Sequence, residues 1–546
     1  MDSRGFTRGL ALLASAATLV GAPVQAQTPP PAGQVTGDDL QALDLWASPG
    51  RDTGLDADLW EGTSARLAEA VIAPLAEQRL SPAEAALARG ALATAARSPE
   101  GAEPALAGLR ARTLVALGDL EAAAEIGRRT PRLEAHEPIA RAAADAALWL
   151  GDDARACAIG EGLQAGREDG YWLRLRAYCQ LVAGNERAAQ VTFGLWRETG
   201  EEADGFARLF GQALLGETDG PADASEGLSW AISRRLELDA PASAVPHRPL
   251  SAALAGGDDL GALQRAWRLG LVPVERVRSA YLAQPLPPAT EPIEAASPET
   301  LTSPAPTPLI EAPAGVVGEA NLYRVAHETR EPDLRRRALV ALLGRADTAE
   351  VFVALARLAS PELVAVARQA PAGADPALLA MAAAAAGEPE AARVLFSRAV
   401  RSEGGWDSTR FALMEAVVAA AEARQGGATL DRLIERGAAG SAEAQGAALL
   451  LSALGARMTP EARAQFATFD VPRPRTTPAR LTALALAGED GHAGEAALLA
   501  LSIVRQQPDG ITLADRAAIV SALRQAGLED DARAIAMEGL LALARP

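Results

Sequence analysis

A glycine followed by polar residues and, five positions after the glycine, by an alanine recurs at a fixed interval in the first half of the chain. It stands at Gly118, Gly151 and Gly184, and each glycine is 33 residues from the next. Glycine readily takes the left-handed conformation that ends a helix, and an alanine lets the following helix approach closely. This period therefore predicts stacked helical hairpins, and it constrains the fold more than any other feature of the sequence.

The rest of the sequence is also typical of helices. Hydrophobic residues make up 49% of the 546 residues but aromatic residues only 4%, so alanine and leucine supply most of the apolar surface. Runs of β-branched residues, which are typical of strands, are few in this sequence. Capping residues precede prolines at Ser81-Pro82, Thr459-Pro460 and Thr477-Pro478, as they do at helix starts. We predict an all-α fold in which helical hairpins stack as an α-solenoid.

The amino terminus and one proline-rich stretch interrupt this pattern. Arg4 and Arg8 precede an apolar stretch that ends near Ala26, which is typical of a cleaved secretory signal peptide. Residues 284–315 are rich in proline and have no helical period, as expected of a linker. The sequence leaves open whether the two helical blocks on either side of this linker are separated or packed together. The predicted segments are a signal peptide (1–26), a disordered tail (27–37), an N-terminal helical-repeat block (38–283), the linker (284–315) and a C-terminal helical-repeat block (316–546).

The hairpins resemble the tetratricopeptide repeat, whose pattern has a glycine at the turn, an alanine five residues later and an aromatic residue nine residues later. Gly184, Ala189 and Phe193 match these positions, and Gly387, Ala392 and Phe396 match them after the linker. The signature tryptophan and the Leu-Gly pair of the first helix are mostly missing, so the repeats are degenerate. An irregular alanine-rich helical bundle is the alternative fold.

This resemblance implies a concave groove lined by the first helix of each repeat. Arginine and aromatic side chains commonly carry binding energy at interfaces, and arginine favours carboxylate-bearing partners. The alternative is that the aromatic side chains only fill gaps between helices. The positions carried over from the family to this groove are Arg112, Arg141, Trp149, Tyr171, Arg174 and Tyr178.

Cys157 and Cys179 are the only cysteines of a chain that we expect to be exported to the periplasm in soluble form. Disulfides persist in that oxidising compartment. Both cysteines fall at inward positions of neighbouring helices in the repeat pattern, so a bond between them is plausible. Two buried free thiols are the alternative.

The charge and the residue inventory exclude several functions. The formal net charge of −18 disfavours binding to nucleic acid or anionic lipid. The chain has no lysine, which excludes Schiff-base lysines and phosphate-binding loops that end in Gly-Lys. The four histidines lack the spacing of a zinc-binding helix. We therefore expect no metal, no cofactor and no catalytic residues; the histidines are His136, His247, His327 and His492.

Two function classes remain. The first is a non-catalytic periplasmic scaffold that binds another cell-envelope protein or peptide through its helical-repeat grooves, without stable membrane insertion after signal cleavage. The second is an enzyme or carbohydrate-binding module that acts on the cell wall or a polysaccharide through dispersed carboxylates and tryptophans.

Overall fold

The computed structural model describes residues 44–240, 247–284, 314–369, 375–402, 408–422, 427–507 and 509–544. The predicted signal peptide and disordered tail lie outside these ranges, as does most of the predicted linker. The all-α prediction is confirmed: the described residues contain α-helices and short 3₁₀ turns, and their only β-type pairing is one isolated bridge between Ser64 and Glu100.

Twenty-seven α-helices account for most of the described residues. They are α1 (Ala65–Ile72), α2 (Pro82–Ala93), α3 (Pro104–Ala116), α4 (Leu120–Arg129), α5 (Glu137–Leu150), α6 (Asp153–Gly162), α7 (Gly170–Val182), α8 (Glu186–Glu198), α9 (Asp204–Leu215), α10 (Gly227–Arg235), α11 (Arg248–Leu254), α12 (Leu260–Arg268), α13 (Val274–Ala283), α14 (Val316–Glu328), α15 (Pro332–Leu343), α16 (Ala349–Leu358), α17 (Ser360–Gln369), α18 (Pro376–Ala385), α19 (Pro389–Ser402), α20 (Ser408–Ala421), α21 (Gly427–Ala438), α22 (Ala442–Ala453), α23 (Pro460–Phe466), α24 (Pro478–Glu489), α25 (Ala493–Arg505), α26 (Leu513–Gln525) and α27 (Glu529–Ala544).

The repeated glycines mark the turns between paired helices. Gly118, Gly151 and Gly184 have φ values of 79°, 82° and 77°, in the left-handed region that favours glycine. They follow α3, α5 and α7, which pack against α4, α6 and α8 respectively. The 33-residue period therefore corresponds to three successive helical hairpins.

Local hydrogen bonds explain where several helices begin. At the start of α2 the Ser81 hydroxyl accepts the Glu84 N–H at 3.3 Å, and the Glu84 carboxylate accepts the Ser81 N–H at 2.8 Å. This reciprocal pair satisfies two N–H groups that have no partner within the helix. The Thr459 hydroxyl caps α23 in the same way by accepting the Ala462 N–H at 3.1 Å.

The buried apolar side chains fall into two clusters. We call the first the main core; it draws on helices from both predicted blocks, from Leu45 to Ala544. We call the second the aromatic core; it draws only on α5 to α10 and adjoining residues, from Ala140 to Leu236. Helix α5 contributes to both, because Trp149 belongs to the main core and Leu148 to the aromatic core.

The two predicted blocks are in contact, and the residues from Asp44 onward form one compact unit. The first helices pack against the last: α1 contacts α25, and α2 contacts α25 and α27. Two hydrogen bonds from backbone N–H groups support these contacts. The Gly494 N–H donates to the Leu59 carbonyl oxygen at 2.8 Å, and the Ala83 N–H donates to the Glu538 carboxylate at 3.0 Å. The boundaries proposed for the linker remain predictions, although α13 ends at Ala283 and α14 begins at Val316.

Candidate functional site: an arginine-lined cleft

A cleft of about 730 Å³ opens where the two cores meet. Helices α3, α5 and α7 supply one side, and residues 76–80, 225–226 and 247–249 supply much of the other. This volume lies in the usual range for binding sites of small ligands or short segments. We call it the arginine cleft, because its walls carry Arg79, Arg112, Arg141 and Arg248.

The structure brings four of the six predicted groove residues together in this cleft. Arg112 comes from α3, Arg141 and Trp149 come from α5, and Tyr171 comes from α7. These are the first helices of the three hairpins, so the 33-residue period is what places the four side chains side by side.

The cleft arginines differ in what holds them. Arg248 donates to the backbone oxygens of Gln78 and Leu80 at 3.1 and 3.3 Å, which fixes the start of α11 against residues 76–80. The guanidinium of Arg141 lies 4.6 Å from the centre of the Tyr171 ring, in a cation–π contact. Arg79 and Arg112 are exposed, and within the described residues neither makes an ion pair or side-chain hydrogen bond. Their positive charge is therefore available to a partner.

Asp145 is the carboxylate that α5 presents between Arg141 and Trp149, one helical turn from each. Burial and, second, the nearby Glu226 raise the pKa of Asp145 to about 6. The Gly227 N–H opposes this shift by donating to Asp145 Oδ1 at 3.0 Å, and the charge of Arg141 opposes it as well. Asp145 is thus partly protonated in mildly acidic solution.

The Tyr171 hydroxyl lies among these charged groups and has no hydrogen-bond partner among the residues that the structure describes. The residue is only 4% exposed, and its oxygen is buried and unpaired. Burial raises the pKa of Tyr171 well above its ordinary value, and the charges of Asp145, Arg141 and Glu226 also act on it. An unpaired buried hydroxyl is costly, so a ligand group that reached this atom would gain a hydrogen bond.

Trp149 lines the cleft but offers little of its ring. It is 2% exposed, stacks on Trp230 with ring centres 6.4 Å apart, and lies 5.6 Å from the ring of His247. His247 is itself oriented by the backbone, because its Nδ1 accepts the Leu250 N–H at 3.2 Å. Trp149 therefore shapes the wall and is not an open stacking platform.

Arg174 and Tyr178, the other two predicted groove residues, lie inside the aromatic core instead of in the cleft. The Arg174 side chain is 4% exposed and pairs with Glu201 at 3.1 Å and more closely with Glu226. Tyr178 has no exposed surface. Arg174 still affects the cleft indirectly, because it donates a hydrogen bond to the carboxylate of Glu226, which lines the cleft.

The predicted disulfide is present: Cys157 of α6 and Cys179 of α7 are bonded, with α-carbons 5.7 Å apart. It links the second hairpin to the third. Among the described residues no group of three or more His, Cys, Asp or Glu side chains has the arrangement of a metal site. Nor is any helix in those ranges both long and apolar enough to cross a membrane.

Sequence reasoning missed the residues that approach the cleft from outside the repeats. Asp145 had a detectable signal, because it lies four residues from both Arg141 and Trp149. Glu226 and His247 come from segments without a repeat pattern, and nothing in the sequence places them beside α5. No protein-family model, curated protein or solved structure matches the chain.

Proposed function

We propose that this chain is an exported, non-catalytic scaffold of the periplasm that holds a segment of another cell-envelope protein in the arginine cleft. Degenerate tetratricopeptide-like hairpins would provide the framework. The signal-like amino terminus supports export, and the disulfide between Cys157 and Cys179 is compatible with an oxidising compartment. The overall negative charge argues against nucleic acid or anionic lipid as the partner.

The observation that carries the proposal is a pair of exposed arginines, Arg79 and Arg112, that make no ion pair or side-chain hydrogen bond with any described residue and line a cleft that also holds Arg141. Guanidinium groups that remain unpaired at a concave surface suit carboxylates of a partner, which they bind with two parallel hydrogen bonds.

The test is capture of the native partner by crosslinking in the exporting host, followed by mass spectrometry. We expect Arg112→Ala and Arg141→Ala each to lower the yield of the crosslinked partner about tenfold, as removal of a central arginine contact typically does. Arg187→Ala is the matched control, because Arg187 is an exposed helical arginine outside the cleft. Capture that is equal in all three variants would contradict the proposal.

An enzyme acting on the cell wall is the second candidate, and one observation favours it. Asp145 and Glu226 line the same cleft, and an Asp145 pKa of about 6 suits a general acid that lies near a second carboxyl group. Incubation of the purified protein with peptidoglycan tests this candidate. Soluble fragments that disappear in both Asp145→Asn and Glu226→Gln would establish it in place of the scaffold.

A further inference from the structure

The most buried part of the arginine cleft differs in character from its mouth. Arg79 and Arg112 stand exposed at the mouth, whereas Asp145 and Glu226 are half-buried beside the nearly inaccessible Tyr171. We call these last three residues the acidic floor. One cleft thus presents unpaired positive charge outside and carboxylates with an unpaired hydroxyl inside.

We propose that the acidic floor is a binding site for a primary ammonium group, supplied by the same partner segment whose carboxylates reach the arginines. This inference rests on the proposed function and adds the chemistry of a second contact. The Tyr171 oxygen has no hydrogen-bond partner, and the three donors of an ammonium group match that oxygen together with the two carboxylates.

The charges already present leave this site incomplete. Glu226 is neutralised by Arg174, which comes from the core side. Arg141 stacks on the Tyr171 ring and makes no ion pair with Asp145 within the described residues. The raised pKa of Asp145 agrees with this geometry, because it shows that the nearby positive charges and hydrogen-bond donors do not fully offset the burial of the ionised carboxylate. A bound ammonium would supply that compensation.

The occupant is a peptide and not a sugar or this chain's own lysine. A sugar ring needs an open aromatic face, but Trp149 is covered by Trp230 and the Tyr171 ring is covered by Arg141. The sequence has no lysine, so no lysine of a second copy can fill the site. The carboxylates that the cleft arginines require favour a partner peptide, whose ammonium group is a lysine side chain or the amino terminus.

Equilibrium dialysis of the full mature chain against a pool of tetrapeptides, each containing one lysine, tests the proposal. The pool is used unmodified, acetylated at the amino terminus only, and acetylated at all amines. We expect the fully acetylated pool to be retained at least tenfold less than the unmodified pool at pH 7.5. The singly acetylated pool tells the two sources apart, because its retention falls only where the amino terminus is the group that is bound.

The variants locate the contact. Asp145→Asn should lower retention of the unmodified pool about tenfold and Tyr171→Phe about fivefold, with the helical spectrum unchanged. The matched controls are Asp169→Asn, an exposed acid just before α7, and Tyr178→Phe, which removes a buried hydroxyl away from the cleft; both should leave retention unchanged.

Lowering the pH from 7.5 to 5.5 should weaken retention by wild type more than retention by Asp145→Asn, because Asp145 gains a proton in this range. The groups around Asp145 in the cleft are Arg141, Tyr171, Glu226 and His247. Burial lowers the pKa of His247, and a proton gained there adds positive charge, so it changes retention in the same direction.

Three results would overturn the ammonium site: no retention of unmodified peptides, retention of the fully acetylated pool equal to that of the unmodified pool, or an Asp145→Asn effect no larger than that of Asp169→Asn. If partner capture still depends on Arg112 and Arg141, only this inference fails. If capture is independent of both arginines, the proposed function fails as well.

Discussion

The main core and the aromatic core solve the same packing problem with different side chains. The main core is filled mostly by alanine and leucine, so its helices pack closely across the whole length of the described chain. The aromatic core is smaller and also contains many alanine and leucine side chains, but large rings make up a greater share of it, among them Trp172, Phe206 and Phe210, and the disulfide lies at its edge. Each ring buries more apolar surface than an alanine or leucine side chain, so fewer side chains are needed to fill the space between these helices.

Each core also has a buried arginine beside it, Arg110 in the main core and Arg174 in the aromatic core, and these two arginines have different partners. Arg110 in the main core is fully buried and donates to three backbone oxygens, those of Leu92, Thr94 and Trp46. Arg174 in the aromatic core instead pairs with the carboxylates of two side chains. The backbone oxygens bound by Arg110 are held in place and cannot reach water if the arginine is removed. The glutamate side chains bound by Arg174 can rotate towards water.

The largest expected effect is therefore that of Arg110→Ala. It leaves three buried carbonyl oxygens unsatisfied and opens a cavity, so we expect the free energy of unfolding to fall by about 5 kcal/mol. Arg174→Ala should cost about 3 kcal/mol, because Glu201 and Glu226 are partly exposed and regain water. Urea denaturation measures both. The exposed Arg112→Ala, on the same helix as Arg110, should change stability by less than about 0.5 kcal/mol.

An Arg174→Ala cost equal to or above that of Arg110→Ala would contradict the contrast between the two buried arginines. It would mean that the carboxylates of the aromatic core are as dependent on their partner as the backbone oxygens of the main core are.

The second prediction concerns the disulfide. Replacing both cysteines by serine should lower the free energy of unfolding by about 3 kcal/mol, since the bond spans 22 residues and restricts the unfolded chain. Hydrogen exchange should become faster in α6 to α8 and stay unchanged in the main core helices α20, α22 and α27. Uniform acceleration across the protein would show that the two cores unfold as one unit. In unreduced protein from the exporting host, neither Cys157 nor Cys179 should react with a thiol reagent after unfolding.

Much of the aromatic core was predictable from the sequence. The glycine period located three hairpins, placed both cysteines on adjacent helices and grouped Arg112, Arg141, Trp149 and Tyr171. It placed Arg174 and Tyr178 on the same surface, but the structure buries them, because α10 packs against α5 and α7 and its leading Glu226 pairs with Arg174. Segments without a repeat carry no signal of where they fold back, so this covering could not be foreseen.

The closure of the main core was also not foreseeable. In a regular solenoid each repeat contacts only its neighbours, and a periodic pattern describes those contacts alone. The contact between α2 and α27 instead joins the two ends of the described chain, and it includes a polar pairing in which the Ala83 N–H donates to Glu538 across 455 positions of sequence. Neither residue is distinctive in an alanine- and glutamate-rich chain.

The third prediction uses this contact. Burial raises the pKa of Glu538 to about 7, so the folded state favours the protonated carboxyl, and one of its oxygens has no hydrogen-bond partner. The resulting stability is complete below the ordinary glutamate pKa and is lost as the pH rises through 7. Glu538→Gln should therefore match wild type at pH 4 and exceed it at pH 8 by about 3 kcal/mol in the free energy of unfolding.

The control for this pH effect is Glu435→Gln, at an exposed acid of α21, which should follow wild type at both pH values. A Glu538→Gln variant that is less stable than wild type at pH 8 would show that the ionised carboxylate, through Arg516 at 3.8 Å, stabilises the contact.

The smallest effect is expected from cutting the chain between the predicted blocks. A site for a specific protease inserted after residue 300 should allow complete cleavage if residues 284–315 are the linker that their proline-rich composition predicts. The two fragments should nevertheless elute together in gel filtration with an unchanged helical spectrum. They share the main core through two separate sets of contacts, α13 with α14 and α16, and α1 and α2 with α25 and α27. Separate elution would mean that each block buries enough surface by itself and that the main core is two cores that merely touch.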